Sequence, residues 1–77
     1  MPRIDFDLDL DHEYVELNQL LKLVGIADSG GQGKALVASG AVTVDGQAEL
    51  RKTAKIRAGQ TVRIGDAEIR IRAAAPG

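Results

Sequence analysis

Hydrophobic and polar residues follow two different periods in the first third of this chain. Residues 4–11 alternate one by one between apolar side chains and aspartates, which predicts a half-buried strand with an acidic outer face. Such a row of charges on an edge strand discourages pairing with other chains. Residues 15–24 instead carry apolar side chains one helical turn apart, which predicts a first helix that ends near Gly25.

Residues 29–40 contain the signals that start and stop a second helix. Ser29 and Gln32 have the spacing of a capping box, in which each side chain bonds the backbone amide of the other residue. The helix should therefore begin at Gly30. Gly40 can adopt the left-handed conformation that ends a helix.

A first hairpin is predicted directly after the second helix. Residues 42–44 alternate as a strand does, and Asp45-Gly46 suits a type I′ turn, which needs positive φ at both central positions. Residues 47–50 should then pair back onto the first strand. Residues 51–58 have no clean period and are interpreted as a loop or irregular strand.

A second hairpin is predicted for residues 61–72. Gly65 leads its turn, as a type II′ turn prefers, and the resulting register places Arg63 opposite Glu68 on the open side. The tail of residues 73–77 should be frayed.

The combined spacing of these elements resembles the ribosomal-protein-S4-type RNA-binding domain, also called the αL motif. The resemblance covers residues 16–64, and it rests on Leu17, Leu20, Leu21, Val24, Gly25, Ser29, Leu36, Val37, Gly40, Val42, Thr43, Val44, Asp45, Gly46, Gly59 and Gln60. It implies an α+β fold of two packed helices followed by β-hairpins in a small, mainly antiparallel sheet, here with an N-terminal strand. We expect residues 1–77 to form one such domain.

A basic run narrows the resemblance. The sequence RKTAK at residues 51–55, followed by AGQTV, looks like the small stand-alone bacterial proteins of this type, the YbcJ-like group. Membership would imply RNA binding at the start of the second helix and the nearby hairpin. Many family members follow the capping serine with an arginine, whereas this chain has Gly30, so one expected contact is missing.

The charge distribution supports such a surface although the net charge is only −1. Residues 1–28 carry a charge of −5 and residues 29–77 a charge of +4. A local basic patch attracts phosphates whatever the total charge is. With the resemblance, the charge pattern predicts RNA contacts at Ser29, Gln32, Lys34, Arg51, Lys52, Lys55 and Arg57.

The kind of RNA follows from the scarcity of aromatic residues. Phe6 and Tyr14 are the only two, and Phe6 should be buried on its strand, so a platform for stacking splayed bases is not expected. We therefore expect backbone and shape recognition of a structured RNA, such as a ribosomal or tRNA-like RNA. The glycines at Gly30, Gly31 and Gly33 have two interpretations, close helix packing or the approach of a phosphate to exposed amides.

The sequence offers little for other function classes. It has no cysteine, a single histidine at His12, and no complete Walker or dinucleotide motif, so we expect no enzymatic activity, cofactor or metal. No segment is apolar enough for a membrane span, and a cytoplasmic monomer is expected. The rival hypothesis is a protein-interaction adapter, or a ribosome-associated factor, that uses the acidic N-terminal strand.

Overall fold

The computed structural model describes residues 3–9 and 11–74, which form two helices and two sheets. The elements in chain order are β1 (Arg3–Leu8), β2 (Val15–Glu16), α1 (Leu17–Leu23), α2 (Gly30–Ala38), β3 (Val42–Val44), β4 (Gln47–Ala48), β5 (Lys55–Ile56), β6 (Thr61–Ile64) and β7 (Ala67–Ala73). The larger sheet has the order β1-β7-β6-β3-β4, and β2 pairs with β5 in a separate two-stranded ribbon. All strand pairs are antiparallel except β1 with β7. The predicted α+β fold with a mainly antiparallel sheet is confirmed.

The core is one cluster between the helices and the inner face of the sheets. The largest fully buried side chains come from α1, α2, β3, β5, β6 and β7, and they are Leu17, Leu20, Leu21, Val37, Val42, Ile56, Val62 and Ile69. The even positions of β1 complete this cluster, with Leu8 buried and Phe6 half-buried, while its aspartates face solvent. The alternating pattern of β1 and its place at a sheet edge are therefore as predicted.

Both hairpin turns have the predicted geometry. Asp45 and Gly46 have φ values of 52° and 85°, which a type I′ turn requires at both positions. At the second turn Gly65 has a φ of 57°, and Arg63 faces Glu68 as expected. The two side chains form a hydrogen bond of 2.9 Å, and this bond from Arg63 lowers the pKa of the Glu68 carboxyl.

The first helix begins two residues later than predicted. Val15 and Glu16 pair with Ile56 and Lys55 as strand β2, so they leave the helical pattern that their sequence suggests. The amides of Leu17 and the following residue donate to backbone carbonyls of the loop before β5. Val15 and Glu16 therefore pair with a strand some forty residues away although their apolar spacing also fits a helix. In this arrangement Ile56 is buried, and the first amides of α1 have acceptors that a helix start otherwise lacks.

Three other boundaries also differ from the predictions. β1 ends at Leu8, because the chain turns at Asp9, whose carbonyl accepts from the His12 amide; residue 10 lies outside the described residues. β4 stops at Ala48, although the Glu49 amide still donates to the Val42 carbonyl. At the C-terminus residue 73 belongs to β7 and residue 74 donates to the Leu8 carbonyl, so the predicted fraying is wrong there; residues 75–77 lie outside the described residues.

The two helices lie close together at Gly33. A Cβ atom at this position would lie 2.5 Å from the backbone oxygen of Asn18 in α1, whereas a Cβ atom at Gly31 would meet nothing closer than 3.8 Å. Gly33 is therefore explained by close helix packing, the first of its two interpretations. Gly31 has no such constraint.

We predict opposite effects for alanine at these two glycines. Gly33→Ala should lower the free energy of unfolding by more than about 1 kcal/mol, because backbone atoms of α1 must move. Gly31→Ala should raise it by up to about 1 kcal/mol, because alanine is the better helix former. Urea denaturation of both variants measures the difference. Equal effects of the two substitutions would contradict the close approach of the helices.

Candidate nucleic-acid interface

Two side chains predicted from the sequence, Ser29 and Gln32, cap the start of α2. The Ser29 hydroxyl accepts a hydrogen bond of 3.1 Å from the Gln32 amide, as the capping prediction requires. The reciprocal bond differs by one residue, because the side-chain Oε1 of Gln32 accepts from the backbone amide of Asp28 instead of that of Ser29. Both side chains therefore serve the helix cap through their oxygen atoms, which act there as acceptors.

A basic groove opens beside α2, and it contains four of the seven predicted site residues. We call the open surface lined by Lys34, Glu49, Leu50, Arg51, Lys52, Thr53, Ala54, Lys55 and Gln60 the basic groove. Lys34 comes from the exposed side of α2, and the other cations come from the loop between β4 and β5 and from β5 itself. Residues distant in sequence thus place four positive charges around one surface.

The loop that carries these charges is held by backbone hydrogen bonds. The amides of Leu17 and Asn18, in the first turn of α1, donate to the carbonyls of Ala54 at 2.9 Å and Lys52 at 3.1 Å. Glu16, which precedes the helix, makes no side-chain cap. The loop therefore supplies the cap that α1 lacks, and the same bonds fix the position of the basic groove.

One carboxylate lies within the basic groove, and it is directed at the loop backbone. Glu49 accepts from the Arg51 amide at 3.1 Å, and its carboxylate lies 3.6 Å from Arg51 Nε. The Arg51 side chain is 85% exposed, so the pair leaves its guanidinium open to solvent. With four cations and one acid the groove has a net charge of about +3, which attracts polyanions.

The remaining predicted site residues lie outside the basic groove. Ser29 and Gln32 are at the cap of α2, and Arg57 follows β5, where its amide donates to the Gln60 side chain at 2.7 Å. Gln60 itself lines the groove, although it was not among the predicted site residues. The Gly59-Gln60 turn before β6 was the sequence feature that could have indicated Gln60 as a site residue.

Tyr14 is a second residue near the basic groove that was not predicted as a site residue. Its ring lies 5.0 Å from the Lys55 ammonium, measured to the ring centroid, in a cation–π arrangement. The β2–β5 pairing creates this contact, because Glu16 and Lys55 are direct partners. Since the pairing joins distant segments, no local pattern in the sequence indicates it.

The arginines of the outer sheet face do not form a comparable surface. Glu68 lies within 4.0 Å of three of them, Arg3, Arg63 and Arg70. Arg72 pairs with Asp7 at 3.0 Å. Four arginines therefore share two carboxylates, which offset about half of their charge, whereas the four cations of the basic groove have one carboxylate beside them.

No helix within residues 3–9 and 11–74 has the length and apolar character needed to cross a membrane. In the same described residues, no group of three or more acidic or histidine side chains is placed to hold a metal ion.

The chain is similar to known proteins over most of its length. The sequence pattern of the S4 domain family matches residues 8–72. YbcJ of Escherichia coli (strain K12) and YbcJ of Shigella flexneri are each 57% identical over 51 residues, which cover 66% of this chain and 73% of each relative. The solution structure of Escherichia coli YbcJ, described as revealing an αL motif involved in RNA binding, matches with a TM-score of 0.69 and 46% identity over 88% of this chain and 85% of that one.

The cap of α2 can be tested separately from any ligand. We predict that Ser29→Ala lowers the free energy of unfolding by about 1 kcal/mol, because the Gln32 amide loses its acceptor. Ser29→Asp should retain most of the stability, since a carboxylate also accepts from this amide and favours the positive helix end. Chemical denaturation monitored by circular dichroism measures both. A Ser29→Ala protein as stable as the parent would show that the cap contributes little.

Proposed function

The chain belongs to the S4 domain family, and on that basis we propose that it is a non-catalytic RNA-binding protein whose basic groove holds the phosphate backbone of a structured RNA. The observation that carries the proposal is the convergence of Lys34, Arg51, Lys52 and Lys55 on one open surface. Loop and helix are fixed relative to each other, so the cations are arranged before the ligand arrives. Less side-chain and loop ordering is then needed on binding.

The groove residues have distinct roles in this proposal. Arg51 can grip one phosphate with two parallel N–H donors, whereas the three lysines act as point charges. Gln60 offers an uncharged amide that can donate to a sugar hydroxyl or phosphate oxygen. Because phosphate contacts fix position without reading sequence, affinity for many structured RNAs should be similar.

Ser29, Gln32 and Arg57 are proposed as outer contacts of the same RNA. Ser29 and Gln32 lie at the N-terminal end of the helix that carries Lys34, where the positive helix end favours phosphate. Their capping bonds leave the Ser29 hydroxyl proton and the Gln32 amide protons as donors. Gly30 brings no cation here, so the basic loop must supply most of the binding free energy.

The structured RNA is proposed to be ribosomal, and the protein to act as a cytoplasmic monomer. The absence of cysteine in the sequence suits a reducing compartment. A protein-interaction adapter is the second candidate, supported by the free edge of β1 with its exposed aspartates. The two candidates respond differently to salt, because strand addition relies on backbone hydrogen bonds.

We predict that replacing Arg51, Lys52 and Lys55 by glutamine abolishes most RNA binding without unfolding the protein. If the parent neutralises about five phosphates, the logarithm of its affinity should fall against the logarithm of salt concentration with a slope of magnitude roughly 3 to 5. The triple variant should reduce that magnitude by about 2 to 3. Fluorescence anisotropy with a labelled ribosomal RNA hairpin, across a salt series, measures both quantities.

The matched control removes three charges from the outer sheet face. A variant with glutamine at Arg63, Arg70 and Arg72 has the same net charge as the groove variant, but it leaves the groove intact. It should bind RNA with a salt slope close to that of the parent. Equal losses in the two variants would mean that only net charge matters. No binding by the parent at low salt would favour the adapter candidate.

A further inference from the structure

Every aromatic ring of this protein lies at one small pocket. The chain contains one phenylalanine, one tyrosine, one histidine and no tryptophan. Phe6, His12 and Tyr14 line a cavity of about 160 Å³ together with the aliphatic Leu8, Val15 and Leu23. We call it the aromatic pocket. It is smaller than the roughly 300 to 1,000 Å³ of pockets that enclose whole small molecules, so it suits a single ring system.

The pocket walls contain apolar side chains that the core leaves partly exposed to solvent. Leu23 ends α1 and is 61% exposed, and Tyr14 is 37% exposed. Phe6, on the inner face of β1, is only half-buried. Scattered apolar residues on a surface need no explanation, but these three converge on one cavity.

A contact between Tyr14 and Lys55 joins the aromatic pocket to the basic groove. Tyr14 forms one wall of the pocket, and its ring lies 5.0 Å from the ammonium of Lys55, which lines the groove. The β2–β5 pairing holds both side chains in place. A nucleotide whose phosphate contacts Lys55 would therefore have its base beside the Tyr14 ring.

We propose that the aromatic pocket receives one unpaired nucleobase of the RNA bound in the basic groove. This inference rests on the proposed RNA-binding function and adds a base subsite to it. Stacking on aromatic rings supplies the attraction, and it is independent of sequence because every base has a π-face. The ligand is thus a bulged or looped nucleotide that adjoins a helix.

The carboxylates around the pocket define which edge of the base they can contact. Asp9 lines it with a side chain that is 80% exposed, whereas the carboxylate of Asp7, a second lining residue, is paired with Arg72. Ionised carboxylates only accept hydrogen bonds, so they suit the amino and imino groups of a base. They also repel phosphates, which directs the backbone toward Lys55 and the base toward the rings.

The experiment uses two labelled RNA hairpins with the same stem, one fully paired and one with a single bulged adenosine. The protein should bind the bulged hairpin roughly five- to tenfold more tightly, as expected for one stacked base. Proton NMR of the complex reports on the pocket directly, because Phe6, Tyr14 and His12 provide all aromatic side-chain signals. Their ring protons should shift on adding the bulged hairpin and much less on adding the paired one.

Substitutions at two equally exposed leucines provide the matched control. Leu23 lines the aromatic pocket and Leu50 lines the basic groove, with exposures of 61% and 62%. Leu23→Ala and Tyr14→Leu should reduce the preference for the bulged hairpin while keeping the affinity for the paired one. Leu50→Ala, in the basic groove, should change the affinity for both hairpins by the same factor and so leave the preference unchanged.

Three results would overturn the base subsite. Equal affinity for the two hairpins together with unshifted ring protons would mean that the groove binds backbone alone, and the proposed function would still stand. A preference that survives both Leu23→Ala and Tyr14→Leu would place base recognition elsewhere. Ring protons that shift with a lysine- and leucine-containing peptide, but with neither RNA, would identify the pocket as a protein-docking site.

Discussion

Two backbone hydrogen bonds join α1 to the loop between β4 and β5, and they determine where the basic groove can form. The first amides of a helix have no partner within the helix, and the N-cap Glu16 does not cover them with its side chain. The carbonyls of Lys52 and Ala54 take this role. If the loop moved, the amides of Leu17 and Asn18 would lose their partners at a buried site, which would cost about 1–3 kcal/mol for each unsatisfied group. The loop is therefore tied to the core although most of its side chains are exposed.

The close approach at Gly33 positions the other half of the groove. Because the backbone of Asn18 occupies the place of a Cβ atom at Gly33, α2 lies near the same turn of α1 that holds the loop. Lys34 is the next residue along α2, on its exposed side. The helix-packing constraint and the capping constraint thus meet at Asn18. This common residue explains how cations from two distant segments reach one surface.

Local signals in the sequence were sufficient for the parts of the fold that depend on neighbouring residues. The Asp45-Gly46 turn, the cap of α2 and the Arg63–Glu68 register could all be predicted, because each depends on φ preferences or short hydrogen bonds. The pairing of β2 with β5 could not, because its partners are about forty residues apart and Val15 also fits a helix. Four of the residues predicted from the basic run and the family resemblance do lie on one surface, and their contacts with RNA stay a prediction. The places of Gln60 in the basic groove and of Tyr14 beside Lys55 were not predicted, because both arise from contacts between distant segments.

The scarcity of aromatic residues has a different meaning once their positions are known. Two rings scattered over a surface could not form a stacking platform, and the sequence alone favours that interpretation. β1 brings Phe6, and the segment before β2 brings Tyr14, to the same pocket beside Lys55. In the proposed complex the acidic N-terminal segment serves the same RNA as the loop between β4 and β5, because a carboxylate can accept from a base while the cations hold the phosphates. A net charge of −1 is compatible with RNA binding on this arrangement, since the negative and positive charges contact different parts of one nucleotide.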